Sequence, residues 1–345
     1  MNHKKNTKIV FTVIIFLIGV SVIVYAFLIN NDSQSSIISP LKNNKNQQIS
    51  ASTILDRETQ IGSMYQYSLT NGSKYLNKVY GFKSNPAEFD NQNYSEEYEN
   101  NFSSLVLYSY ENGNADYALK TQMYFRENEG ENTKYENSYL YVKDTENNNR
   151  ISAYHSYWID SNETEHDDSY WHYSYDENNK LTEMSDGSRK HKYFYYDNYG
   201  ILSEIVNDDG SDSETIYYIY EKDEQGNITK ITKSKRNQYY KRFYEYEYDT
   251  NNNITKESYS FLNDNEEIQL LKTTSYSYDE NKNITRISVE EYSEFTGECN
   301  NTQTTTYYYD NNNNLSEATV SDKYSTTYMI FEYTDTPTPY YVENQ

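Results

Sequence analysis

The chain has little cysteine, little proline and few oily side chains, and each shortage removes a class of protein. A single cysteine, Cys299, excludes an intramolecular disulfide and any cysteine-based zinc site. Hydrophobic residues fill 35% of the 345 positions, but 43 of them are tyrosines. Many of the others fall in one N-terminal run, so roughly 61 remain elsewhere, a supply that leaves a chain disordered unless something else provides burial. Large multidomain machinery is excluded on that ground. Bases are scarce too: 30 Lys and Arg against 53 Asp and Glu give a net charge of -23. Affinity for phosphate is largely counterion release by Lys and Arg, so nucleic acid is not expected as a partner and bare anionic membrane is disfavoured.

The one long apolar run spans 9–29, 21 residues without a charge. As a helix it would reach about 31 Å, the thickness of a hydrocarbon core. Val24-Tyr25-Ala26 resembles a signal-peptidase site, yet Phe27, Leu28 and Ile29 carry the apolar run past it, which favours an uncleaved anchor. Lys4, Lys5 and Lys8 precede the run, and no base follows until Lys42. Residues 1–8 are therefore expected in the cytoplasm and the rest outside, with single-pass attachment to the cell membrane. Residues 30–60 are rich in Asn, Gln and Ser without periodicity and are expected to form a flexible tether.

What is plentiful is tyrosine, and it recurs in a phrase. Tyr-x-Tyr-Asp, a short polar stretch, Ile or Leu, then Ser or Thr appears with Asp176/Leu181, Asp249/Ile254, Asp279/Ile284 and Asp310/Leu315, and with two extra residues before the aspartate at Asp223/Ile228. The copy at Asp197 replaces the first tyrosine by Phe194 and has Leu202 after Ile201. Alternation along a strand places both rings of Tyr-x-Tyr on one face. Asp opens a tight reversal, and Asn or Gly at the third or fourth position after it accepts left-handed backbone. A second apolar residue often follows the first by three, as in Ile228/Ile231 and Ile284/Ile287, a spacing that predicts a bulge. Upstream, Tyr65/Tyr67, Tyr108/Tyr110 and Tyr139/Tyr141 keep the paired rings but not the Asp-to-Ile spacing. Pro337 and Pro339 are expected to close the sheet edge, since proline cannot donate to a ladder.

The phrase resembles the YD repeat of Rhs-type and teneurin-like proteins, most fully at Asp223-Glu-Gln-Gly-Asn-Ile-Thr229, over about 173–335. The resemblance implies long β-ribbons, often wound into a shell, and association with carbohydrate binding, surface attachment or toxin enclosure. This chain departs from the family in carrying Asn or Lys where Gly is usual, and it shows neither the family's C-terminal core signature nor a following toxin domain. A looser likeness to choline- and glucan-binding wall repeats rests on Trp171-His-Tyr-Ser-Tyr175-Asp176; the chain has only 2 tryptophans. The expected fold is all-β: an antiparallel repeat-built sheet or β-solenoid-like ribbon after one N-terminal transmembrane helix. A divergent repeat region covers 61–172, a YD-like region 173–336 and a tail 337–345.

Candidate sites follow from the same residues. Trp171, Tyr173, Tyr175, Tyr246, Tyr248, Tyr276 and Tyr278 are candidates for stacking on sugar rings, a use compatible with covering the sheet. Asp249/Asn251/Asn253, Asp279/Asn281/Asn283 and Asp310/Asn312/Asn314 open like calcium loops but lack the glycine and glutamate of an EF-hand. Turn formation accounts for the same residues, leaving weak calcium binding as the one cofactor expectation. His155, His166, His172 and His191 fall near Asp167 and Asp168 without metal-ligand spacing and are expected on exposed loops. No nucleophile elbow or phosphate-binding glycine loop occurs, and with 53 acids no carboxylate pair stands out. The function expected is non-enzymatic: an extracellular binding or scaffold module, with cell-wall glycan or surface polysaccharide as ligand. The alternatives are a component of a competition or toxin-protection system, and a secreted hydrolase using paired carboxylates.

Overall fold

The structure, a computed structural model, describes residues 70–71, 74–83, 103–111, 119–125, 136–144, 150–159, 165–178, 180–236, 241–311, 313–334 and 339–340. The expected membrane segment, the tether, Tyr65, Tyr67, Asn312 and Pro337 lie outside the described residues. Every described element is a β-strand, and all belong to one 20-stranded sheet. The first six are β1 (Thr70–Asn71), β2 (Lys74–Phe82), β3 (Ser104–Glu111), β4 (Leu119–Phe125), β5 (Glu136–Asp144) and β6 (Arg150–Ile159). There follow β7 (Glu165–Tyr175), β8 (Leu181–Ser185), β9 (His191–Tyr196), β10 (Leu202–Asp208), β11 (Ser213–Lys222) and β12 (Ile228–Lys235). The remainder are β13 (Lys241–Tyr248), β14 (Ile254–Leu262), β15 (Ile268–Tyr278), β16 (Ile284–Tyr292), β17 (Cys299–Tyr309), β18 (Leu315–Ser321), β19 (Thr326–Thr334) and β20 (Pro339–Tyr340).

From β2 to β19 each strand pairs antiparallel with the next, and β19 then pairs with β2, from Tyr328 opposite Phe82 to Thr334 opposite Tyr75. The ladder returns to its start as a closed ring. The ribbon expectation is corrected at this point: the sheet is antiparallel and repeat-built, but it is neither a solenoid nor open-ended. Pro339 does not close the edge either. β2 covers β19, while Pro339 and Tyr340 add a short parallel pairing to β3. Bulges supply the curvature. In all six copies the pairing skips one residue directly after the Ile or Leu: Thr182, Ser203, Thr229, Thr255, Thr285 and Ser316. Each extra residue adds twist on the same side of the sheet, and closure removes the exposed edges an open sheet would carry. The hydroxyls of Thr182, Ser203 and Ser316 donate back across the bulge to the carbonyls of Ser174, Tyr195 and Tyr308. That accounts for the hydroxyl residue in these three copies.

The turn works as the spacing predicts. The Asp backbone N–H donates to the carbonyl four residues on, and an Asp carboxylate oxygen accepts from the amide at that same position. The third position after Asp has positive φ, at Gly226 (86°), Asn252 (61°), Lys282 (67°) and Asn313 (67°). The fourth has a separate task. Asn227, Asn253, Asn283 and Asn314 each donate their side-chain N–H to the second oxygen of the turn's own Asp.

Two ladders tie one repeat to the next. The second tyrosine of the phrase donates its hydroxyl to the carbonyl of an Ile or Leu one repeat earlier: Tyr175 to Ile151, Tyr196 to Leu181, Tyr248 to Ile228, Tyr278 to Ile254 and Tyr309 to Ile284, at 2.6–2.8 Å. Tyr220 does the same to Leu202. On the turn edge, Asn227 donates to Asn252 and Asn283 to Asn313. The first tyrosine and the paired Ile or Leu residues fill one core that runs round the ring from Leu76 and Val79 to Phe331. Tyrosine therefore replaces the missing aliphatic residues, and the second ring of each phrase packs on the core while its hydroxyl finds a backbone acceptor. β7 crosses the expected boundary at 172/173 without a break.

Candidate functional site

The face of each strand that carries the buried rings points into the ring, and it changes character along its length. Near the Asp turns it is Ile, Leu and Tyr; toward the opposite end the same face carries ions. Lys235 meets Glu214 at 2.9 Å, and Lys272 lies 3.8 Å from Glu291. Burial pulls the Lys272 ammonium below the ordinary lysine range, although Glu291 and Glu257 oppose that.

At this polar end a cleft of about 360 Å³ opens, within the size range of small-ligand sites. It is lined by Trp171, by Lys190, His191 and Lys192, by Asn207, Asp208, Asp209 and Asp212, and by Glu214. Strand lengths place it. β8 stops at Ser185, whereas β7 extends far past the level of that turn, so Trp171 has no strand partner beside it on the β8 side. Trp171 is two residues from the buried Tyr173 and shares its face. Across the gap, Lys192 pairs with Asn207 and Asn207 with Glu214, one row over three strands. Trp171 also packs against the core, which leaves a half-buried indole as the apolar wall of a polar notch.

Both turns at the rim are held by a carboxylate. Asp186 accepts backbone N–H bonds from Ser188, Arg189 and Lys190. The Ser188 N–H first, then the other donors, hold its carboxyl at about 2 against an ordinary 3.8. Asp209 accepts from the Ser211 and Asp212 amides and is lowered for the same reason. A depressed carboxylate stabilises the fold above its unfolded value and loses that contribution as pH falls through the folded one. Tryptophan fluorescence should therefore stay constant down to about pH 4 and change between 3.8 and about 2 as the Asp186 turn protonates. A transition centred near pH 5 would contradict this.

The residues singled out from sequence scatter over three settings. Trp171 lines the cleft. Tyr173, Tyr246 and Tyr276 are buried, and Tyr175, Tyr248 and Tyr278 pack on the core with their hydroxyls committed to the backbone. These six rings contact protein instead of facing outward. Asp249 accepts the Asn251 and Asn253 amides and the Asn253 side chain; Asp279 accepts the corresponding groups of Asn281 and Asn283. Asp310 and Asn314 repeat the pattern. Each of these carboxylates is engaged by N–H donors of its own turn. The histidines lie in strands β6, β7 and β9 and not on loops. His155 and His172 both meet the edge of Tyr170, and His191 contacts Glu183 at 2.7 Å. Among the described residues no group of three or more His, Cys, Asp or Glu is placed to hold a metal.

Of the cleft's polar residues, Asn207–Asp212 stand out in the sequence only as a run of polar, turn-forming residues, and Lys192 and Glu214 carry no signal of their own. A second missed feature lies on the outer face. Tyr195 (51% exposed) and Tyr217 (36%) both pair with Glu204, so one row holds two outward rings about 9–10 Å apart. The signal was the middle residue of the repeat phrase, which is Ser or Glu at Ser174, Glu247 and Ser277 but tyrosine at Tyr195 and Tyr308.

No protein-family model matches the chain, and no curated protein matches its sequence. Among solved structures it resembles a porin-like protein from Bacteroides uniformis ATCC 8492, with 12% identity over 68% of this chain and 96% of that one, at a TM-score of 0.37. It also resembles a Photorhabdus luminescens Tc holotoxin pore, with 12% identity over 66% of this chain but only 14% of that one, at a TM-score of 0.29. A porin-like protein from Bacteroides vulgatus ATCC 8482 overlaps 50% of this chain and 95% of its own, with 12% identity and a TM-score of 0.29. Overlaps this loose carry no functional argument.

Proposed function

We propose that this protein is a non-enzymatic binding or scaffold module of the YD-like kind, displayed outside the cell from an N-terminal membrane segment, with cell-wall glycan or surface polysaccharide as its ligand. The observation that supports this reading is the rim cleft. It sets the apolar ring of Trp171 beside a dense group of hydrogen-bonding side chains on strands fixed by their turns. Sugars are recognised in that way, by an aromatic ring against the apolar C–H face and by polar groups around the hydroxyls. The acidic surface and the net charge of -23 fit an uncharged polymer better than a phosphate-rich one.

Co-sedimentation of the full-length protein in detergent with purified wall polymers and exopolysaccharides is the test. The protein should pellet with at least one glycan. Trp171→Ala should weaken that by roughly tenfold or more, the usual effect of removing an aromatic anchor. Protein that stays in the supernatant with every polymer would overturn the reading.

A further inference from the structure

In the cleft the carboxylates of Asp208, Asp209, Asp212 and Glu214 outnumber the ammonium groups of Lys190 and Lys192, and this decides what kind of glycan it takes. Asp208 spends only Oδ1, on the Gly210 amide, and Asp212 only Oδ1, on the Ser213 amide. Asp209 spends its Oδ1 on Ser211 and Asp212. One oxygen of each of these three carboxylates is thus left for a ligand. Glu214 is held by Lys235. Lys190 and Lys192 are the lysines that face this set, with His191 beside them engaged by Glu183.

We infer that the cleft binds a hydrogen-bond-donating sugar unit, neutral or amine-bearing, against Trp171, with Asp208 and Asp212 accepting from its hydroxyl or ammonium groups, and that it refuses uronates and sugar phosphates. The inference rests on the glycan-binding reading above and narrows it to a charge class. A carboxylate or phosphate on the ligand would bring like charge against Asp208, Asp209 and Asp212 and would offer more acceptors where donors are needed. An ammonium meets the opposite sign and gains from it, in a salt-dependent way.

The experiment uses the full-length protein in detergent, with tryptophan fluorescence and calorimetry as readouts. The probes are three oligosaccharides of equal length: a glucose oligomer, a glucosamine oligomer with free amines, and a galacturonate oligomer. The glucose and glucosamine oligomers should bind and the galacturonate oligomer should not. Asp208→Asn with Asp212→Asn should weaken the glucosamine oligomer about tenfold and the glucose oligomer much less. In both substitutions the new amide oxygen can accept the Gly210 or Ser213 N–H as the carboxylate does, so the fold is retained. Tyr324→Ser, on an exposed turn far along the chain, should change nothing. Galacturonate binding as tight as glucose binding would overturn the charge rule and leave glycan binding standing. So would a glucosamine affinity indifferent to the Asp pair. Failure of all three probes and of every polymer would remove the parent reading itself.

Discussion

Tyr278→Ala is expected to lower the unfolding free energy by roughly 3 kcal/mol, the ordinary cost of deleting a buried aromatic side chain. The ring packs on the core, and its hydroxyl donates to the Ile254 carbonyl at 2.6 Å, joining two repeats. Tyr278→Phe keeps the ring and should cost about 0.5–1.5 kcal/mol, the share of the hydrogen bond alone. Urea denaturation followed by circular dichroism separates the two, and an alanine variant within about 0.5 kcal/mol of the parent would show that the ladder does not hold the ring together. Alkali supplies an independent check. Burial first, and Asp249 second, push the Tyr278 phenol well above its ordinary 10.0; Tyr333 is pushed up to about 12, by burial and then by Asp310. A raised phenol contributes stability below its unfolded value and loses it as pH rises through the folded one. Tyrosinate absorbance from the ladder should therefore appear only well above the ordinary phenol range, together with unfolding.

Ile284→Ala should cost about 2–5 kcal/mol, against about 0.5–1.5 for Ile284→Val. The side chain is 0% exposed, it starts β16 directly after the turn, and its carbonyl is the acceptor for Tyr309. Truncation leaves a hole bordered by rings that lean on the neighbouring strand and cannot collapse into it without breaking their own bonds. Ile268→Ala, with 61% of that residue exposed on β15, is the matched control and should stay within about 0.5 kcal/mol of the parent. Equal losses at the two positions would refute the assignment of inner and outer faces.

What could be read from sequence was local. The fixed spacing from Asp249 to Ile254 encodes a turn and its bulge within a few residues, and the structure keeps both in every copy. The division of labour between Asn252 and Asn253 was not separable, because left-handed backbone and a side-chain bond to Asp both select asparagine. Ring closure was not legible at all. Nothing in Lys74–Phe82 marks it as the partner of Thr326–Thr334, since pairing over that distance is set by accumulated twist and not by any short motif. The same holds for the cleft. Trp171 drew notice for its ring, but its setting depends on β8 being short, and its neighbours Lys192, Asn207 and Glu214 come together only through cross-strand register. Tyr173, Tyr246 and Tyr276 were named for their chemistry and are spent on structure, because a chain this poor in aliphatic residues has little else to bury.

The seam between β2 and β19 also governs how the molecule can be made. An early strand waits for a late one, so Leu76, Val79 and their backbone stay unsatisfied while the intervening repeats are synthesised and zipped together one by one. Assembly then ends in a single slow event that bridges almost the whole length of the described chain. A polypeptide cut short anywhere before Thr326 would present two raw strand edges in place of one joint, and would be prone to aggregate through them.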